Sequence, residues 1–211
     1  MVPRLAYIEI YMNPQIQILE KPDWVSWDDI KQCLHEAHSV NREKGIKMTR
    51  YQWPVNKMKE YVESSGVMFV ALRDKNVIGT AAFVEKAGNK WYATGRYASL
   101  CLGSVMTDYM GQGIFKMLDS KREEAVRKIG LSVLVFDTHV NNIHRQKIAL
   151  NSGYRYVSYT HPNNHSNVIM AKWLDGCPYP SIYCWLRFYW SKIMLLLYIN
   201  LHSIKSLLFG K

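Results

Sequence analysis

The chain has 211 residues, of which 48% are hydrophobic and 21% are charged, a balance typical of a globular domain with a substantial core. Its formal net charge of +10 favours anionic partners, such as phosphate-bearing ligands or a membrane surface. The sequence has no zinc-finger spacing and no basic helical arm, so we do not expect it to bind nucleic acid.

Hydrophobic patterns along residues 15–174 follow the order β-α-α-β-β-β-α-β-α-β-β. Strand-like patterns cover residues 15–20, 67–74, 77–86, 96–107, 131–140, 154–160 and 167–174. Helical patterns start at a capping box formed by Ser26 and Asp29, at Pro54, after Gly113 and at Asn142. This order predicts an α/β (α+β mixed sheet) fold with about seven strands and about four helices, in a domain over residues 1–176.

A strand, two glycines and a helix follow one another over residues 104–130. Gly111 and Gly113 stand where the backbone adopts positive φ or approaches a ligand closely. The first N–H groups of a helix have no partner within it, and the helix dipole favours negative charge there. The pattern therefore predicts an anion-binding turn.

From residue 177 the chain becomes basic and rich in aromatic residues. Residues 177–211 contain four Lys or Arg and no Asp or Glu. Arg187, Ser191 and Lys192 fall on one side of a helical wheel, which predicts an amphipathic tail helix on a membrane surface. The charge-free run at residues 193–204 is too short to span a bilayer. The alternative is a helix that packs on the domain, or on a second copy of it in a homodimer.

Four cysteines, Cys33, Cys101, Cys177 and Cys184, occur without C-x-x-C spacing. Residues 1–11 have no apolar run long enough for a secretory signal. We therefore expect free thiols in a cytoplasmic protein, peripheral on the inner face of the membrane if the tail binds lipid.

The glycine turn resembles a known family. MGQGIF at residues 110–115 is similar to the R/Q-G-x-G-x-G/A loop of the GNAT acyltransferase superfamily. Asn142, followed by Gly153 and Tyr154, is similar to the second signature of that superfamily. The resemblance implies a GNAT-like fold and an acyl-CoA-dependent N-acyltransferase, with acetyl-CoA as the expected co-substrate and no metal.

The resemblance also implies where coenzyme A binds. Its pyrophosphate would lie at the glycine turn, and its thioester arm would bond to the preceding strand and to Asn142. The implied cofactor-binding residues are Ser104, Val105, Met106, Met110, Gly111, Gln112, Gly113, Ile114, Phe115, Asn142 and Arg145. Three of them depart from the family pattern: Met110 replaces Arg or Gln, Phe115 replaces a small residue, and Arg145 stands where Ala is frequent.

The usual acid and base of the family are missing. Ala149 replaces the tyrosine that many members use as an acid, and Cys101 lies near the place of the strand carboxylate that often acts as a base. The candidates for removing the amine proton are His139, Asp137 or a water chain between them. As a nucleophile Cys101 has no visible base, and a buried structural role is the simpler interpretation. The candidate replacement acids are Tyr154 and Tyr156.

Trp91, Tyr92 and Arg96 are the candidate substrate-binding residues, because they could stack on or pair with a sugar or nucleotide. We expect them to act with the segment around Trp53 and the loop at residues 161–166. Two histidines of that loop have four-residue spacing but no third ligand near them, so we expect no metal site.

The expected function is transfer of an acetyl group to an amine, such as an amino sugar of a glycan precursor, at the cytoplasmic membrane surface. Two alternatives stay open. One is an acyltransferase that uses a longer acyl-CoA or an acyl carrier protein. The other is a non-catalytic GNAT-like scaffold that binds CoA, a lipid surface or a partner.

Overall fold

Seven strands form one mixed sheet in the computed structural model, which describes residues 16–43, 45–46, 50–160, 166–180, 182–194 and 197. The strands are β1 (Gln17–Glu20), β2 (Gly66–Arg73), β3 (Asn76–Lys90), β4 (Ala93–Val105), β5 (Val133–His139), β6 (Arg155–Thr160) and β7 (Asn167–Trp173). The helices are α1 (Trp27–Ala37), α2 (Ser39–Glu43), α3 (Val55–Glu63), α4 (Ile114–Lys128), α5 (Ile143–Asn151) and the helical residues 182–194, which we call α6. The predicted fold class is confirmed.

The strands lie in the order β1-β2-β3-β4-β5-β7-β6. β4 and β5 pair in parallel, whereas the other neighbours are antiparallel. β3 and β4 are longer than predicted, so residues 76–105 form one long hairpin that turns at Trp91 and Tyr92. The outer half of this hairpin is largely solvent-exposed, and for that reason its sequence lacks a clear apolar alternation.

Helices cover both faces of the sheet. One core cluster contains Leu118 of α4 and Ala149 of α5, and a second contains Leu34 of α1 and Met58 of α3. Helix α1 begins at the predicted capping box, in which Ser26 Oγ accepts the N–H of Asp29 at 3.0 Å and the Asp29 carboxylate accepts the N–H of Ser26. Packing on both faces fixes the strand ends and the loops that follow them.

β4 and β5 pair over only two positions and then separate. Ala98 pairs with Leu134 and Ser99 with Val135, and no later pair follows in the described strands. A bulge lies just beyond, where β4 gains a residue relative to β3 and Leu102 adopts a φ of 49°. The second half of β4 therefore turns away from β5 and leaves a gap between the strands.

The described part of the tail packs on the sheet. Ser191 Oγ of α6 accepts the backbone N–H of Tyr159 at 2.9 Å, on the edge strand β6. Phe188 packs on Tyr156 with ring centroids 5.1 Å apart. The hydroxyl of Tyr179 donates to the carbonyl of Trp91 at 2.9 Å. The described residues of the tail thus form a helix that packs on the domain, which is the alternative stated in the sequence analysis. None of the helices in this part of the chain is long and apolar enough to cross a membrane.

His38, at the end of α1, gives a test of the fold. Burial, assisted by the charge of Arg42, lowers the pKa of His38 from 6.5 to about 4. The unfolded chain takes up this proton below pH 6.5, but the folded chain takes it up only near pH 4. Stability is therefore lost as pH falls across this window, by up to about 3 kcal/mol. Urea unfolding at pH 7 and pH 4.5 should show a smaller fall for His38→Gln than for the wild type; equal falls would contradict the assignment.

Candidate functional site

The turn between β4 and α4 has the geometry of an anion site. Gly111 and Gly113 have φ values of 80° and 76°, and Gly113 is the N-cap of α4 with no side-chain cap. No described atom lies within 4 Å of a Cβ built on either glycine, so the turn faces open space. The first-turn N–H groups of α4 are therefore available to a ligand.

The gap between β4 and β5 opens beside this turn. Beyond Ser99, the edge of β4 that faces β5 has no strand partner among the described residues. Thr80 fixes the bulge, since its hydroxyl donates to the carbonyl of Leu102 at 2.7 Å and lies 3.1 Å from Ser104 Oγ. The side chain of Ser104 is thereby occupied. What β4 presents to the gap is its backbone, ending at Val105 and Met106.

Other predicted cofactor-binding residues lie around the turn and the gap. Met110 is exposed, and the side-chain amide of Gln112 donates to the carbonyl of Asp108 at 3.5 Å. Ile114 is buried in the core below the turn. Asn142 is the N-cap of α5, where its side-chain oxygen accepts the N–H of Arg145 at 3.3 Å.

A buried cation lies at the base of the turn. The Arg145 guanidinium is 4.4 Å from the ring centroid of Phe115 and 4.5 Å from that of Phe136, and its side chain is 19% exposed. Its nearest carboxylate in the described chain is Asp119, 3.9 Å away, which forms a shorter ion pair with the buried Arg122. Burial lowers the pKa of Arg145. Two guanidinium groups thus share one carboxylate, and Arg145 Nη1 has no hydrogen-bond partner among the described residues.

Asp137 and His139 lie on β5 across the gap from β4. Asp137 Oδ1 is 3.3 Å from Arg50 Nη2, and its Oδ2 accepts a hydrogen bond from the side-chain amide of Asn167. His139 Nδ1 accepts the N–H of Asn141 at 3.1 Å, which assigns the proton of the neutral ring to Nε2. Asp137 is thus held by a cation on one oxygen and by an amide donor on the other.

Cys101, Tyr154 and Tyr156 have surroundings that do not suit proton transfer or attack. Burial raises the pKa of Cys101 to about 11, even though Arg50 and other cations lower it. This thiol stays protonated, and a protonated thiol is a poor nucleophile. Burial likewise raises the pKa of Tyr154, and the hydroxyl of Tyr156 donates to Gln146 at 2.9 Å.

The three predicted substrate-binding residues have partners within the chain. Trp91 forms edge contacts with Tyr92 and with two tail tyrosines, at centroid distances of 5.4 to 5.6 Å. Arg96 forms a two-point ion pair with Glu85 across the hairpin. His161 and His165 lie outside the described residues. Within the described ranges, no group of three His, Cys, Asp or Glu side chains could hold a metal ion.

A cavity of about 370 Å³ lies where α1 and α2 meet the end of β4. It is lined by His35, Glu36, Ser39, Arg42, Met106, Thr107 and Asp108. No sequence pattern predicts this cavity, because α2 has only five residues and shows no helical period. Nor does any pattern single out Tyr61, whose hydroxyl is buried without a partner among the described residues and whose ring lies 5.8 Å from the Arg50 guanidinium.

Comparison with known proteins identifies a family and solved structures that are similar to this chain. The model of the acetyltransferase (GNAT) family matches residues 27–154. Comparison with curated protein sequences finds no match. Among solved structures, a GNAT-family acetyltransferase from Staphylococcus aureus Mu50 is similar over 76% of this chain and 99% of its own, with 18% identity and a TM-score of 0.61.

Two similar structures contain the cofactor. The paia N-acetyltransferase from Thermoplasma acidophilum, in complex with coenzyme A, has 17% identity, a TM-score of 0.55 and coverage of 75% of this chain and 99% of its own. The acetyltransferase yncA from Salmonella typhimurium, with acetyl-CoA, has 13% identity, a TM-score of 0.58 and coverage of 79% and 98%. At such identities these likenesses establish a common fold.

Proposed function

Since this chain belongs to the acetyltransferase (GNAT) family, we propose that it is an N-acetyltransferase that moves an acetyl group from acetyl-CoA to an amine. The observation that carries the proposal is the gap between β4 and β5, which opens beside a glycine turn with free helical N–H groups. A long, flexible thioester arm attached to a pyrophosphate fits both features at once. The turn suits the pyrophosphate, and the unpaired edge of β4 suits the thioester arm.

Residues 111–115 would bind the pyrophosphate through backbone N–H groups, as at other helix N-termini. Met110 supplies no positive charge there. The positive charge of Arg145 lies beside Phe115, in the first turn of α4, and would supply the missing cation. The thioester arm would bond to the β4 backbone near Ser104, Val105 and Met106, and α5 would border it through Asn142.

The acetyl transfer requires few catalytic side chains. The amine nitrogen attacks the thioester carbonyl carbon, the carbon–sulfur bond breaks, and the products are an amide and the thiol of CoA. Backbone N–H groups of β4 can stabilise the oxyanion that forms. The amine must lose one proton, and the thiolate gains one.

Asp137 is the base that the geometry favours. Its carboxyl group is exposed at the edge of the gap and oriented by Arg50 and Asn167. We propose that it takes the proton through a water molecule and releases it to solvent. His139, whose Nδ1 accepts from the backbone, lies two residues along the same strand and would help to orient this water.

The acceptor is proposed only as an amine. The amino-sugar acceptor expected from the sequence depended on the membrane-like tail and on Trp91, Tyr92 and Arg96, and the side chains of these three residues have partners inside the chain. The cavity at the end of β4 carries the carboxylates of Glu36 and Asp108 and the guanidinium of Arg42, a set of charged groups suited to a polar acceptor. A longer acyl donor or a non-catalytic scaffold would appear as a preference for long acyl-CoA, or as binding without turnover.

The cofactor assignment is tested at the glycine turn. Gly113→Val should weaken CoA binding more than tenfold in calorimetric titration, because a β-branched residue cannot easily keep the φ of 76° that aims the first helical N–H groups. Gly130→Val is the matched control, since Gly130 has a φ of 75° and open space at the other end of α4. Both variants should lose similar stability. If both bind CoA equally well, the pyrophosphate does not lie at this turn.

The role of the buried cation can be measured separately. Arg145→Met keeps most of the volume between the two phenylalanine rings and removes the charge, so CoA affinity should fall about tenfold while stability is kept or rises. Arg127→Met, which removes an exposed cation from the last turn of α4, should leave the affinity unchanged. An unchanged dissociation constant for Arg145→Met would make Arg145 purely structural.

The base is distinguished by two conservative variants. Asp137→Asn should lower kcat at least about a hundredfold, as expected for loss of a general base. His139→Gln should lower kcat less than tenfold, because the glutamine oxygen can still accept from the backbone. Steady-state kinetics with acetyl-CoA and an accepted amine decide between them. The reverse order would make His139 the base.

A further inference from the structure

Helix α6 packs on the sheet with most of its large apolar side chains facing away from the domain. The side that faces the sheet carries Cys184, Phe188 and Ser191, of which Ser191 hydrogen-bonds the edge of β6. Seven other large apolar side chains of the helix point the other way. They are between 42% and 61% exposed, and they are Ile182, Trp185, Leu186, Tyr189, Trp190, Ile193 and Met194. Packing on the domain therefore leaves the apolar side of α6 in water.

These side chains form one continuous stripe. Their spacing is i, i+3, i+4, i+7, i+8, i+11 and i+12, which on a helix of about 100° per residue is a single face. The centre of this face lies opposite Cys184, Phe188 and Ser191 on the helical wheel. Leu197, which is 51% exposed, continues the spacing. At about 1.5 Å per residue the stripe over residues 182–194 is roughly 20 Å long.

Positive charges border the stripe on both sides. Arg187 lies at one border, where its guanidinium is 5.7 Å from the Trp91 ring, and Lys192 lies at the other, 6.0 Å from the Tyr159 ring. Both side chains belong to exposed residues. No acidic residue occurs anywhere in residues 177–211. The surface thus combines an apolar centre, indole and phenol rings, and purely basic edges.

We propose that this stripe docks α6 flat on an anionic lipid bilayer. Tryptophan and tyrosine favour the boundary between headgroups and acyl chains, and basic side chains at the borders reach anionic headgroups. A second copy of the chain fits this surface less well. Two stripes packed face to face would bring basic borders together, with no acidic residue in either tail to compensate. The inference is independent of acetyl transfer.

The test uses the full chain and sedimentation with vesicles. Wild-type protein should pellet with phosphatidylcholine vesicles containing 30% phosphatidylglycerol, and about tenfold less with pure phosphatidylcholine. Added salt should release only part of it, because salt screens charge but does not weaken apolar burial. Failure to pellet with the anionic vesicles, or complete release by salt, would overturn the proposal.

Variants locate the contact. Replacing Trp185 and Trp190 together with serine should reduce binding to anionic vesicles at least tenfold and leave circular dichroism unchanged, because both side chains point away from the domain. Trp24→Ser is the matched control, since Trp24 is 57% exposed outside the tail. Equal binding by the double variant and the control would overturn the proposal. So would a wild-type dimer in analytical ultracentrifugation that the double variant converts to a monomer, because the stripe would then be a subunit interface.

Discussion

The early separation of β4 from β5 is the feature on which the site depends. Two adjacent parallel strands would normally continue their hydrogen bonds, but here the ladder stops after Ser99 and Val135. The cause is local: Leu102 adopts a left-handed conformation that costs about 1 kcal/mol or more for a residue with a side chain. Thr80 compensates by donating to the Leu102 carbonyl from the neighbouring strand. One bulge thereby produces an unpaired strand edge in the middle of a sheet.

The same region concentrates positive charge that the described residues do not fully neutralise. Arg122 and Asp119 form a buried pair, and Arg145 adds a second cation to the same carboxylate. Burying an unpaired charge is unfavourable, and its cost is reduced when an anion binds nearby. The position of Arg145 between two aromatic rings fixes where the charge lies. In the proposed function, Arg145 would supply the cation that Met110 does not provide.

Much of the fold could be predicted from the sequence, because hydrophobic periodicity and turn-forming residues depend only on neighbours in the chain. The capping box of α1, the two glycines before α4 and the order of strands and helices each depend on residues close together in the chain. The site required contacts over long sequence separations. Arg50 approaches Asp137 from a segment with no clear periodicity, and the lining of the cavity comes from α1, α2 and the end of β4. The partner of His139 Nδ1 is a backbone N–H, which no residue type reveals.

The orientation of the tail helix on the domain also could not be predicted from the sequence. Its helical wheel correctly separates polar from apolar residues, but a wheel does not say which side meets the domain. The surface that α6 meets is an edge strand with an unpaired N–H at Tyr159, flanked by tyrosine and tryptophan rings. A hydroxyl satisfies that N–H, cations lie over those rings and Phe188 packs on Tyr156, so this side of the helix gains specific partners there. An apolar side chain at Ser191 would instead leave the edge donor unsatisfied. The unsatisfied hydrogen-bonding groups of a sheet edge therefore determine which side of α6 faces the domain. The apolar residues face outward as a consequence.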